Sequence, residues 1–182
     1  MRIGIIGGSG VRTLPFDIAP EPVEIETTWG RATGQLGTLG GREVVFLARH
    51  GAGHSVPPHK INYRANIAGL QKLGCQAVLA TTAVGSLKAS LLPGTICVLD
   101  QLIDFTLGRP HKTFFDGENG TPVVHTDVTE PFAPFLWCAR RYCKPPIHKI
   151  SLCEMAAPIS AWTVRATRLL QRCDFSRPGV PM

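Results

Sequence analysis

Three apolar runs, each closing on a turn of glycine, hydroxyl or cationic residues, limit the architectures open to this chain. Ile3-Gly4-Ile5-Ile6 runs into Gly7-Gly8-Ser9-Gly10. Val44-Val45-Phe46-Leu47 runs into Ala48-Arg49-His50-Gly51, and Ala77-Val78-Leu79-Ala80 runs into Thr81-Thr82-Ala83-Val84-Gly85-Ser86. Short, continuously apolar runs bounded by turn residues read as buried strands of an α/β sheet. Open α/β sheets bind ligands outside the carboxyl ends of their strands, where these three turns fall. One arginine, hydroxyl residues and glycine-exposed amides there suit a phosphate oxyanion.

The local pattern predicts further elements. Strand 1 covers Arg2 to Ile6, and Glu24 to Thr28 forms a short strand. Gly34 to Leu39 and Glu43 to Leu47 form a hairpin across Gly40-Gly41, because two glycines supply the positive φ of a tight turn. Val56-Pro57-Pro58-His59 is extended, since proline disfavours helix in the residue before it. A helix runs from Asn62 to Leu73 with Ile67, Leu70 and Leu73 on one face and Gly74 at its end. A strand over Ala77–Thr81 follows, and this αβ succession points to parallel neighbours. Pro93-Gly94 turns into a strand over Thr95–Leu99, continued by Leu102-Ile103-Asp104. Residues 107 to 127 read as a long loop, which at that length is functional or disordered. Pro131 to Tyr142 and Trp162 to Cys173 are predicted helices.

Charge separates the chain into two parts. Of 182 residues, 44% are hydrophobic, enough for one domain with a substantial core. The formal net charge is +6. Residues 138 to 182 hold eight Lys or Arg and two acids, whereas residues 1 to 137 hold eleven of each sign. A nucleic-acid role would therefore rest on the tail alone, and its Tyr142, Trp162 and Phe175 belong to no recognisable module. Four of the six cysteines (Cys138, Cys143, Cys153, Cys173) also lie there, at spacings that match neither a zinc site nor a disulfide scaffold. Scattered thiols suit a reducing cytoplasm. The start reads as a first strand and not a signal peptide, and no apolar run reaches membrane-spanning length.

Each motif also has a plain structural reading. A glycine turn after a first strand is often only a turn. Gly7-Gly8-Ser9-Gly10 lacks the dinucleotide spacing and no phosphate-loop lysine follows it. An arginine leaving an apolar strand needs a partner, which is a bound anion or an internal salt bridge. Thr81-Thr82 is explained equally by the β-propensity of threonine. His54, His59, His111 and His125 are not spaced for one metal site, and none is expected.

Taken together the segments resemble a known family. In the same order and spacing come Ile5-Ile6-Gly7-Gly8-Ser9-Gly10, Leu47-Ala48-Arg49-His50-Gly51, Asn62-Tyr63-Arg64-Ala65-Asn66-Ile67 and Thr81-Thr82-Ala83-Val84-Gly85-Ser86-Leu87. Gln101-Leu102-Ile103-Asp104-Phe105-Thr106 and His125-Thr126-Asp127-Val128-Thr129-Glu130-Pro131-Phe132 follow. This set is similar to the purine nucleoside phosphorylases, in particular the 5′-methylthioadenosine phosphorylase branch, with methylthioinosine-cleaving enzymes close by. The resemblance covers residues 1 to about 137. It implies a three-layer α/β/α fold with a central mixed sheet, and phosphorolysis of a purine nucleoside with inorganic phosphate as co-substrate and no cofactor. It further implies that Ser9, Arg49, His50 and Thr82 hold the phosphate, with Ala83 adding a backbone amide. His125 would reach the 5′-substituent in a neighbouring subunit of a trimer.

Residues 138 to 182 do not resemble the family. The family's Gly-Pro-Arg-Phe-Glu-Thr-like segment, its Met-Thr ribose turn and its base-binding aspartate are not found, so no base-site residue is assigned. A reading frame shifted near residues 137 to 150 is one account of that break. The expectation is a phosphate half-site without a base site, an uncovered sheet edge and negligible turnover. Two other readings stay open: a nucleosidase using water, and an inactive fragment or interaction subunit pairing with a full-length phosphorylase.

Overall fold

The computed structural model describes residues 1–99, 101–104, 113–117, 120–132 and 147–150. They fall into two units. The first comprises residues 1–83, 113–117 and 120–124, and the second the remainder. In chain order the first unit holds β1 (Arg2–Gly7), β2 (Glu21–Thr27), β3 (Gly30–Leu39), β4 (Arg42–Ala48), α1 (Tyr63–Lys72) and β5 (Cys75–Ala80). The second holds β6 (Ile96–Leu99) and β7 (Ile147–Ile150), paired in parallel from Ile96↔Ile147 to Leu99↔Ile150. β7 lies beyond residue 137, where the resemblance is expected to end.

The five strands of the first unit form one mixed sheet in the order β2-β3-β4-β1-β5. β2, β3 and β4 are antiparallel, while β1 runs parallel to both β4 and β5, with Ile5 registered between Phe46 and Leu79. Three parallel strands deliver their carboxyl ends to one edge. The turns after β1, β4 and β5 meet there because of pairing direction and not because of closeness in sequence.

β4 explains its own position. Val44, Val45, Phe46 and Leu47 are all buried, so both faces of the strand are covered, as a continuous apolar run requires. Fully burying a side chain such as Phe46 or Leu47 contributes about 2–3 kcal/mol. At the end of the strand order, β5 exposes Gln76 and Leu79.

The β3–β4 hairpin closes on Gly40 and Gly41 at φ +57° and +71°, the two positive φ values of a two-residue turn. Asp17 clamps it by accepting from both glycine amides at 3.0 Å. The bond from Gly41, then that from Gly40, holds the Asp17 carboxyl below its usual pKa. A carboxylate with a lowered folded pKa stabilises fully above its unfolded value, and that contribution disappears as pH falls through the folded one. Asp17→Asn is therefore expected to destabilise the chain at neutral pH and to match wild type once pH drops below the carboxylate range. Urea unfolding midpoints for both proteins from pH 7 to 2.5 check this, and a difference independent of pH would contradict the clamp.

α1 begins where Asn62 Oδ1 accepts from the Ala65 amide at 3.0 Å, a cap whose loss typically costs about 1 kcal/mol. Gly74, at φ +72°, ends it and donates to the Gln71 carbonyl at 2.8 Å. The expected helix is present, but its buried stripe differs. Leu70 is fully buried alongside Ala65, Ala68 and Gly69, whereas Ile67 and Leu73 are half-buried. Gly69 lets α1 lie close on Ala32 of β3 and Ile25 of β2, while Leu70 packs over Gly4 of β1.

Other expectations are corrected. Pro57 is extended as expected, but Pro58–Lys60 form a 3₁₀ turn. Proline constrains the residue before it but fits a first helical position. Leu102–Asp104 carry no strand. Part of the long loop is docked: Phe114 packs edge-on against Trp29 at 4.8 Å, and Arg64 pairs with Asp116 while donating to the Thr113 carbonyl at 3.4 Å. The predicted helix from Pro131 lies mostly, and that from Trp162 wholly, outside the described residues.

Candidate anion site

The ladder hydrogen bonds continue past the strand ends and tie the three turns together. The Arg49 amide donates to the Gly7 carbonyl at 3.2 Å, and the Thr81 amide to the Ile6 carbonyl at 3.0 Å. β1 thus holds both neighbouring turns by its last two carbonyls. The Gly8 amide then donates to Thr81 Oγ1 at 3.2 Å.

Into this junction β4 delivers Arg49, only 7% exposed. Its Nη1 donates to the Thr81 carbonyl, Nη2 to Thr82 Oγ1 at 3.1 Å, and Nε to His50 Nε2 at 3.3 Å. These acceptors fix the guanidinium plane beneath Gly8. A Cβ at Gly8 would stand 2.4 Å from Nη2 and 2.4 Å from the Thr81 oxygen, so this residue is glycine for close approach.

His50, 4% exposed, is oriented from its other side. Its Nδ1 lies 2.9 Å from the Val56 carbonyl, and its own carbonyl accepts from the Val56 amide at 2.8 Å. A carbonyl only accepts, so Nδ1 carries the hydrogen and Nε2 is the acceptor for Arg49. The His54 ring stacks on His50 at 4.3 Å, and His54 itself holds a left-handed backbone at φ +63°. Partial loss of hydration, followed by repulsion from His50, Arg12 and Arg49, holds the His54 pKa below its ordinary value. Between the first two turns lies a cavity of about 60 Å³, lined among others by Gly7, Gly8, Arg12, His50, Gly51 and His54. That suits a small polyatomic ion and is far below the roughly 300 Å³ that a drug-sized ligand needs.

Arg49, His50 and Thr82 are therefore brought together. Ser9 is exposed on the same turn as Gly8, and Ala83 is exposed just after Thr82. His125 is exposed and belongs to the second unit. Sequence reasoning did not single out Thr81 as a support, although it uses its hydroxyl, its amide and its carbonyl. It also missed Val56, whose one signal is the two prolines that follow it. Among the described residues no group of three or more His, Cys, Asp or Glu is placed to hold a metal, and no helix is long and apolar enough to cross a membrane.

Comparison with known proteins identifies the family to which the chain is similar. The profile of the phosphorylase superfamily matches residues 2–144. A 6-oxopurine nucleoside phosphorylase from Pyrococcus furiosus is 50% identical over 137 residues, which is 73% of this chain and 51% of that protein. An S-methyl-5′-thioadenosine phosphorylase from the same organism is 46% identical over 137 residues, 74% of this chain and 51% of its own length. The structure of methylthioadenosine phosphorylase from Schistosoma mansoni in complex with adenine superposes with a TM-score of 0.69 at 39% identity, covering 77% of this chain and 53% of that one. The chain spans about half the length of the curated relatives it matches.

Proposed function

This chain belongs to the phosphorylase superfamily, and on that premise we propose that it carries the phosphate half of a purine nucleoside phosphorylase site. The observation that carries the reading is Arg49, a buried guanidinium held by Thr81, Thr82 and His50 at the meeting point of three strand ends. Inorganic phosphate would bind across Arg49, His50, Thr82 and Ser9, with the Ala83 amide beside it. Ordered amides and a guanidinium in a water-poor site stabilise an oxyanion without reorganising during reaction. Held there, phosphate attacks C1′ of the ribose as the purine departs, and its charge also stabilises the cationic sugar that develops. His125 of a neighbouring subunit in a trimer would meet the 5′-substituent.

The substrate we propose is 5′-methylthioadenosine, giving a free purine and 5-methylthioribose 1-phosphate. A 6-oxopurine nucleoside is the second reading, favoured by the slightly higher identity to the 6-oxopurine relative. No base-contacting residue is assigned in this chain, so the chain alone is expected to bind phosphate and to release purine at a negligible rate. Purine release from methylthioadenosine and from inosine, with and without phosphate, tests this. Phosphate-dependent release would establish a complete phosphorylase and name its base. Release independent of phosphate would establish a nucleosidase and refute the phosphate reading.

A further inference from the structure

Arg12 sits two residues past the glycine turn, outside the residues assigned to the phosphate. Its side chain lines the cavity between the first two turns, and its charge reaches His54 on the same wall. Among the described residues Arg12 makes no ion pair. The cavity therefore has a cation, Arg12, and a histidine ring, His54, that is stacked on His50 in a backbone conformation few non-glycine residues adopt. No acid among the lining residues balances the Arg12 charge. Strained residues of this kind persist where their surroundings fix them and cluster at ligand clamps.

We propose that Arg12 is a second guanidinium of the anion site: it closes over the outward oxygens of a bound phosphate and makes the site select a multiply charged oxyanion over water. This rests on the phosphate reading above. Arg49 grips the ligand from the protein interior, where its orientation is fixed by hydrogen bonds. Arg12 contributes from the solvent side, where a flexible guanidinium can fold onto the anion once it arrives. The charge that disfavours a protonated His54 in the empty site becomes favourable when an anion lies between the two side chains.

The test is titration of the full 182-residue chain with inorganic phosphate, by calorimetry or phosphorus NMR, for wild type, Arg12→Gln, Arg12→Lys, Arg42→Gln and Arg49→Met. Arg42 is exposed at the start of β4, the strand's far end from the site, and reports the effect of net charge alone. Arg12→Gln is expected to weaken phosphate about tenfold and to flatten its salt dependence, with Arg12→Lys recovering most of the loss. Arg42→Gln should stay within about twofold, since exposed charges beyond a Debye length are screened. Arg12 is exposed, so its thermal midpoint should not move. Unchanged affinity in Arg12→Gln, or an equal loss in Arg42→Gln, overturns the role of Arg12 and leaves the phosphate reading intact. No saturable binding by wild type, or full binding by Arg49→Met, refutes the phosphate reading itself and this inference with it.

Discussion

Replacing Arg49 with methionine is expected to abolish measurable phosphate binding and to lower the unfolding free energy by about 2–4 kcal/mol. The two effects share one cause. The guanidinium serves the Thr81 carbonyl, the Thr82 hydroxyl and His50 Nε2. Methionine fills much of the same volume but leaves those acceptors without their donor. Each buried acceptor so stranded costs about 1–3 kcal/mol, and the part of Thr81 that reaches water recovers some of it. Arg49→Lys separates charge from geometry. Lysine keeps the cation but presents one compact donor head where arginine has a planar fork with three partners in fixed directions. Most of the phosphate affinity should be lost in Arg49→Lys as well, with a smaller change in stability. Urea unfolding at constant m-value gives the stability difference, and phosphate titration gives the affinity. If Arg49→Lys binds phosphate like wild type, the site recognises charge alone and the fork geometry has no role.

The parts of this site that could be read in the sequence follow from how strands announce themselves. Val44 to Leu47 is apolar at every position, so a strand covered on both faces was legible, and the cationic turn after it was placed at a sheet edge. Gly40-Gly41 was legible because few sequences other than two glycines favour that turn. Thr81 was harder. A threonine after an apolar run looks the same whether it continues the strand or ends it. β5 stops at Ala80, and the Thr81 carbonyl, released from the ladder, is the group that receives Arg49. The helix face is less legible for a related reason: periodicity weights Ile67 and Leu73 by hydrophobicity, while the close approach to Ala32 of β3 and Ile25 of β2 is made at Gly69. Val56 escaped notice because it acts through its backbone, which a sequence records only through neighbours such as Pro57.

Gly8→Ala tests the same junction from the opposite side and should be nearly as damaging to phosphate binding, although it removes no polar group. The new methyl would stand 2.4 Å from Arg49 Nη2 and 2.4 Å from the Thr81 oxygen. The guanidinium end could swing away, but only by leaving Thr82 Oγ1. The Thr81 oxygen is backbone, anchored because the Thr81 amide is bonded to Ile6, so relief there separates the first turn from the third and breaks the Gly8 bond to Thr81 Oγ1. Overpacking of this kind costs about 1–3 kcal/mol. A double-mutant cycle identifies which contact carries the strain. With Arg49→Met in the background the clash with Nη2 is gone and that with Thr81 remains. Gly8→Ala should then cost about 1 kcal/mol less than it does in wild type, a coupling beyond the scatter expected for independent sites. Strict additivity would mean that the methyl acts on the turn alone. The close approach of Gly8 to Arg49 would then be a consequence of the fold and not a condition for the site.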